Sequence, residues 1–165
     1  MSQLYAESGV KRKDTAGTMG LRVLLVLGVV VGVILMLSGG VIGIVGIVLA
    51  IIMVFLFPKL NIEYEYVFVD GQIDFDRIIG KAKRKTVLRL DMEQMEVIAP
   101  LGSHALDGYT YTQSIKKDFS SRDKNSKPFV IIASDQDKKY YITFEPNEKM
   151  ITVMKSKSPR KVILL

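Results

Sequence analysis

Three places in this 165-residue chain carry side chains that could do chemistry. The first is Ser103-His104 with Asp107 just beyond, the ingredients of a hydrolase gathered in one loop. A working nucleophile, base and orienting acid come from elements that hold them at fixed geometry, and adjacent loop residues do not reach one another in that way. The chain has no GxSxG elbow, and His104 is its single histidine. The second place is a pair of carboxylates. If Asp70-Gly71 is a two-residue hairpin turn, Tyr66 pairs with Phe75, Phe68 with Ile73, and Glu65 with Asp76. Paired carboxylates suit proton transfer or Ca²⁺. A further turn at Gly80-Lys81 would also bring Lys85 to Asp76 and Leu88 to Ile73, so the plainer reading is a solvent-side charge ladder over a buried face.

The third place is the densest basic run, Gly80 to Lys85, "GKAKRK". Lys81, Lys83, Arg84 and Lys85 are candidate lipid or partner contacts, since each cation near an anionic membrane surface contributes about 1 kcal/mol. The plainer reading, which we prefer from sequence, is a solvated turn whose lysines pair with acidic neighbours. Cysteine is absent, which removes thiolate zinc sites and Cys nucleophiles. No phosphate-gripping or dinucleotide-binding glycine motif is present either. The expectation is a protein with no catalytic residue, no metal and no cofactor, hence not an enzyme, and no small-molecule substrate is identified.

These candidates are positioned by an uneven chain. Residues 21–57 form an apolar block without an acidic residue, and its one cation is Arg22. As a single helix the block would run to roughly 55 Å, well beyond a bilayer core of about 30 Å. A break at Ser38-Gly39-Gly40 gives two transmembrane helices, 21–37 and 41–57, joined by a tight turn. Folding about that turn sets Gly32 against Gly46 and Gly28 against Ala50, small residues that let backbones approach closely in lipid. The same spacing could serve a dimer, but the internal pairing already uses it. A signal peptide cut after the glycines is a rival, disfavoured because a second apolar segment follows at once.

Lys11, Arg12, Lys13 and Arg22 stand at the start of this block and Lys59 at its end, while the turn is uncharged. By the preference of Lys and Arg for the cytoplasmic side, both termini should be cytoplasmic, in a multi-pass cell-membrane protein. Residues 1–20 are polar and aperiodic, and read as a disordered cytoplasmic lead-in. The net charge of +6 divides evenly, with five Lys/Arg against two acids in residues 1–59 and eighteen against fifteen in 60–165. The basic total therefore reflects topology more than nucleic-acid binding, for which no motif exists.

Beyond Pro58 the hydrophobic period becomes two. Strands are expected around "IEYEYVF", "IDFDRII", "KTVLRL", "QMEVIAP", a weak one near Ser114–Phe119, "FVIIAS" and "KKYYITFE", with Ile131, Ile142 and Phe144 buried. Pro146 then opens a helix with Met150, Ile151, Val153 and Met154 on its apolar face and Lys155 and Lys157 in its last turn. The tail "KVILL" should pack on its own domain or add to a sheet edge. About seven antiparallel strands in two sheets with a C-terminal capping helix is the order of a pleckstrin-homology-like (PH-like) domain, here 60–165, mainly β and cytoplasmic.

The runs "YEYVFVDGQIDFDRIIGKAKRKTVLRLDMEQMEVIAP", "DFSS" and "YYITFEPNEKMITVMKSKSPRKV" resemble an uncharacterised family of small bacterial two-helix membrane proteins with a C-terminal PH-like domain. The resemblance covers roughly residues 60–162. It implies a cytoplasmic face and a binding or scaffolding role, engaging a protein partner or the inner membrane surface, and it offers no catalytic residue to carry over. Pleckstrin-homology domains hold phosphoinositides with a basic first hairpin loop, which here reads "VDGQ". The alternative is an accessory subunit of a larger membrane complex, interacting through the helical hairpin.

Overall fold

A computed structural model describes residues 4–109, 114–135 and 137–164. The chain forms two compact units, one of residues 13–62 with 79–83 and the other of the remaining described residues. In the first unit, helix α1 (Ala16–Leu37) begins where Thr15 accepts the Thr18 N–H at 3.3 Å. It starts five residues before the apolar block, because a helix begins at its cap and not where the sequence turns greasy. Arg22 lies inside α1. Helix α2 (Gly40–Leu56) follows a turn in which Gly39 and Gly40 have φ of 70° and 56°. Side chains with a Cβ are strained there, which is why the break is written in glycine. A 3₁₀ turn, Phe57–Leu60, completes the segment. Both helices are long and apolar enough to cross a membrane. Their surfaces are open, with Leu37 and Val41 each 78% exposed, unlike the core helix of a soluble protein.

The second unit holds eight strands in two four-stranded sheets and one helix. The first sheet is ordered β1 (Tyr5–Lys11), β2 (Ile62–Val69), β3 (Gln72–Ile79), β4 (Lys83–Asp91). The second contains β5 (Met95–Pro100), β6 (Ile115–Asp118), β7 (Phe129–Asp135) and β8 (Lys138–Phe144), in the order β5-β7-β8-β6. Helix α3 (Glu148–Lys157) is capped by Asn147, whose side chain accepts the Met150 N–H at 2.8 Å.

Two expectations are corrected. The lead-in is not disordered throughout: β1 pairs antiparallel with β2 from Tyr5 opposite Val69 to Lys11 opposite Glu63. Its inward positions are Ala6 and Ser8, both buried but too small to give a hydrophobic alternation. Ser8 donates to the Glu145 carbonyl at 3.3 Å and accepts the Asn147 N–H at 3.2 Å, which fastens β1 beside the start of α3. The sheets are also not wholly antiparallel, since β6 runs parallel to β8.

The core is aromatic where the sheets meet. Phe75 of β3 and Phe144 of β8 lie 5.8 Å apart edge to face, and Tyr66 of β2 lies within 5.6 Å of both rings. Asp70 and Gly71 both have positive φ, as a type I′ hairpin turn demands. The run "FVIIAS" is buried on both faces. Ile131 belongs to the main core, while Val130 and Ile132 join Val97, Ala99 and Leu106 in a second cluster. The loop carrying Leu106 is thus a cover for that outer face. The described part of the tail adds to the edge of β5, where Ile98 donates to the Lys161 carbonyl and Ile163 donates to the Ile98 carbonyl, both at 2.8 Å. Leu165 lies outside the described residues.

Candidate functional site

The charges of the helical unit sit at one end of it. They are Lys13, Arg22, Lys59, Lys81 and Lys83 against Asp14 alone. Because α1 and α2 run antiparallel, the beginning of one lies beside the end of the other. Arg22 binds Asp14 at 2.9 Å, donates to Asn61 Oδ1 at 2.8 Å and stacks over Phe57 at 5.7 Å. The turn after β3 is held at this same end, where the Gly80 N–H donates to the Asn61 carbonyl at 2.9 Å. A Cβ at Gly80 would meet the Pro58 carbonyl oxygen at 3.2 Å, and its φ is +62°. Glycine is therefore required twice over, for conformation and for close approach.

The four basic candidates of this turn separate. Lys81, Lys83 and Lys85 are exposed and have no acidic partner among the described residues. The expectation that the lysines would be paired is not met. Arg84 is the paired one, reaching Glu65 at 3.0 Å and Asp76 at 2.5 Å. It also answers the carboxylate question, because the repulsion between Glu65 and Asp76 is relieved by a guanidinium between them and not by Lys85. Asp74 is matched in the same way by Arg89, through two bonds of 2.6 and 2.7 Å.

Strand β1 adds to this face two residues that the sequence reading missed. Glu7 shares a hydrogen bond with Glu65, which raises the Glu65 pKa, with burial adding to the rise. The same bond lowers the Glu7 pKa, helped by the Tyr5 hydroxyl, which donates to Glu7 at 2.5 Å. The available signal was the every-other-residue placement of Tyr5, Glu7 and Gly9, obscured by small residues between them. The face is a closed network of acids and arginines, and no group of His, Cys, Asp or Glu able to hold a metal occurs among the described residues.

Within the helical hairpin, Gly32 faces Gly46. A Cβ on Gly32 would lie 2.8 Å from the Gly46 carbonyl oxygen and 3.0 Å from the Ala50 Cβ. Gly28 faces Met53, not Ala50, at 3.1 Å from its side chain. Gly43, not anticipated, sits 3.0 Å from the Met36 carbonyl oxygen by the same measure. The helices diverge slightly from a symmetric fold about the turn, so Ala50 drifts from Gly28 to Gly32.

In the remaining candidate, His104 Nδ1 lies 2.9 Å from Asp107 Oδ2, both in open solvent. Ser103 caps the short 3₁₀ turn His104–Leu106, its hydroxyl oxygen accepting the Ala105 N–H at 3.3 Å.

The chain matches the family described as Bacterial PH-like domain (DUF6106) over residues 2–164. It belongs to that family. The match takes in β1 and the helical hairpin as well as the β unit, so the family's extent is wider than the C-terminal run that resembled it. No curated protein and no solved structure matches the chain.

Proposed function

We propose that this PH-like protein is a membrane-anchored binding module. In this reading α1 and α2 cross the bilayer as a hairpin, and the β unit stands at the inner surface. The basic turn of the helical unit, with Lys81 and Lys83, meets anionic head groups, and the β unit holds a protein partner or the membrane surface itself. One observation carries the topology. Strand β1 precedes the hairpin and β2 follows it, yet the two are paired along their length. A chain that leaves and returns to one sheet must cross an even number of times, so both flanks share a side.

Charge argues for which side. The tip at residues 38–40 is uncharged, and the cations of the helical unit gather at the opposite end. Lys81 and Lys83, unpaired and exposed, would each gain about 1 kcal/mol beside anionic lipid. Binding rather than catalysis fits the arrangement of the acids, which are engaged by Arg84, Arg89 and one another. The alternative, an accessory subunit docking through the hairpin, would have to use the outward helix faces, because Gly32 and Gly46 already face each other.

The chain has no cysteine, so single cysteines report cleanly. Ser38→Cys should react with an impermeant maleimide on intact cells, and His104→Cys only after lysis. Labelling of His104→Cys from outside, or equal access at both positions, overturns the topology. For the lipid contact, acetylation of Lys81 and Lys83 should slow in nanodiscs containing phosphatidylglycerol relative to phosphatidylcholine alone. Equal rates would remove that part of the proposal.

A further inference from the structure

Beside strand β6 lies a pocket of about 520 Å³, within the range of small-molecule sites. Its lining is cationic: Lys116, Lys117, Arg122 and Lys124 stand against only Asp118 and Asp123, a net of +2. Both carboxylates are already engaged. Asp118 Oδ1 accepts the Ser120 N–H and hydroxyl at 3.0 and 2.6 Å, and its Oδ2 accepts from Arg122 at 2.8 Å and Arg12 at 3.3 Å. Asp123 Oδ1 accepts the Asn125 N–H at 3.0 Å. Of the four cations only Arg122 is paired, with Asp118, while Lys116, Lys117 and Lys124 have no acidic partner among the described residues.

Arg122 is held for use. Its backbone has φ of 61°, a conformation that side chains rarely adopt and that persists only where the surroundings enforce it. Its Nε donates to Asp118 Oδ2, leaving the two terminal nitrogens without a hydrogen-bond partner among the described residues. The lining also has an apolar part, Pro128, Leu101, which is 52% exposed, and Tyr141, which neighbours Lys116 across the β6–β8 pairing.

We propose that this pocket binds an organic phosphate. Arg122 and the lysines take the phosphoryl group, and the organic remainder lies on Leu101, Pro128 and Tyr141. A phosphomonoester carries about −1.5 to −2 at neutral pH, which matches the net charge of the lining better than a carboxylate does. The phosphate comes either from a soluble monoester or from a lipid head group such as phosphatidic acid. The site shares no residue with the basic turn and does not depend on the reading above.

Phenyl phosphate serves as the probe, titrated into the full chain in neutral detergent. Saturable binding is expected, at least tenfold tighter than for benzoate. The doubly substituted K116Q/K124Q and the single R122Q should each weaken it at least tenfold, whereas K81Q/K83Q leaves it unchanged. Nanodiscs then separate the sources. If phosphatidic acid suppresses phenyl phosphate binding the natural ligand is lipid, and if it does not the ligand is soluble. No saturable binding, or binding indifferent to K116Q/K124Q in a variant with unchanged circular dichroism, overturns the proposal. Lys116 and Lys124 are exposed, so that variant decides the matter even where R122Q fails to fold.

Discussion

A glycine-to-alanine series along the helical hairpin should give costs graded by what each new methyl meets. At Gly46 a Cβ would lie 2.5 Å from the Gly32 carbonyl oxygen, 2.6 Å from the Met36 nitrogen and 2.8 Å from the Leu35 Cβ. Two of these are backbone atoms, which cannot turn aside as a side chain can. Ordinary contact begins near 3.4 Å, so the helices must part locally by about 0.9 Å. Overpacking of this kind costs about 1–3 kcal/mol, and the upper end applies where backbone must move. Alanine returns up to about 1 kcal/mol of helix propensity, leaving a net loss near 2 kcal/mol. At Gly20 nothing lies within 4 Å, so only the propensity gain remains. Gly28→Ala meets the flexible Met53 side chain and should cost little, with Gly43→Ala between the extremes. The assay is reversible unfolding of the full chain in mixed micelles, titrated with a denaturing detergent. The expected order of loss is Gly46 and Gly32, then Gly43, Gly28 and Gly20, with about 3 kcal/mol across the series. Equal effects at Gly20 and Gly46 would refute the close packing of the helices.

Tyr66→Phe should destabilise the β unit by about 1–3 kcal/mol in denaturant titration, because it strands the Phe119 carbonyl and the Glu145 N–H. No measurable loss would mean that the buried hydroxyl network is not satisfied as described. Asp118 has its carboxyl pushed up by burial, but its bonds from Ser120 and Arg122 outweigh this and hold it below the usual range. A depressed carboxylate stabilises the fold above its unfolded pKa and loses that contribution as pH falls through the folded value. Asp118→Asn should therefore cost roughly 1–2 kcal/mol at neutral pH, moderated by partial exposure, and the gap to the parent should close below about pH 4. A gap independent of pH would contradict the ionic account. Ala6→Glu places a charge at a position with no solvent exposure and should release β1, read as rapid hydrogen exchange from Tyr5 to Lys11. Retained protection there would refute the role of β1 as a structural strand.

Patterns with a short period were legible in the chain itself. The apolar block, its glycine break, the Asp70-Gly71 turn and the helix from Glu148 to Lys157 each follow from local propensity and periodicity, and each appears where those rules place it. Strand β1 was not legible, because Ala6 and Ser8 are buried without being large, and its pairing partner lies beyond the entire hairpin. For the same reason Glu7 could not be assigned to the face of Glu65 and Arg84.

Partner choice among charges was also beyond the sequence. Periodicity states which face a residue occupies, while the twist of strands and the reach of side chains decide that Arg84, and not Lys85, bridges Glu65 and Asp76. The pocket joins β6, the loop after it and β8, lined by residues drawn from positions 101 to 143 of the chain. The sequence determined two long apolar helices and a β-rich unit, because those depend on neighbours along the chain. Only the tertiary structure decided which cations remain unpaired, because that depends on distances between segments that local pattern does not encode.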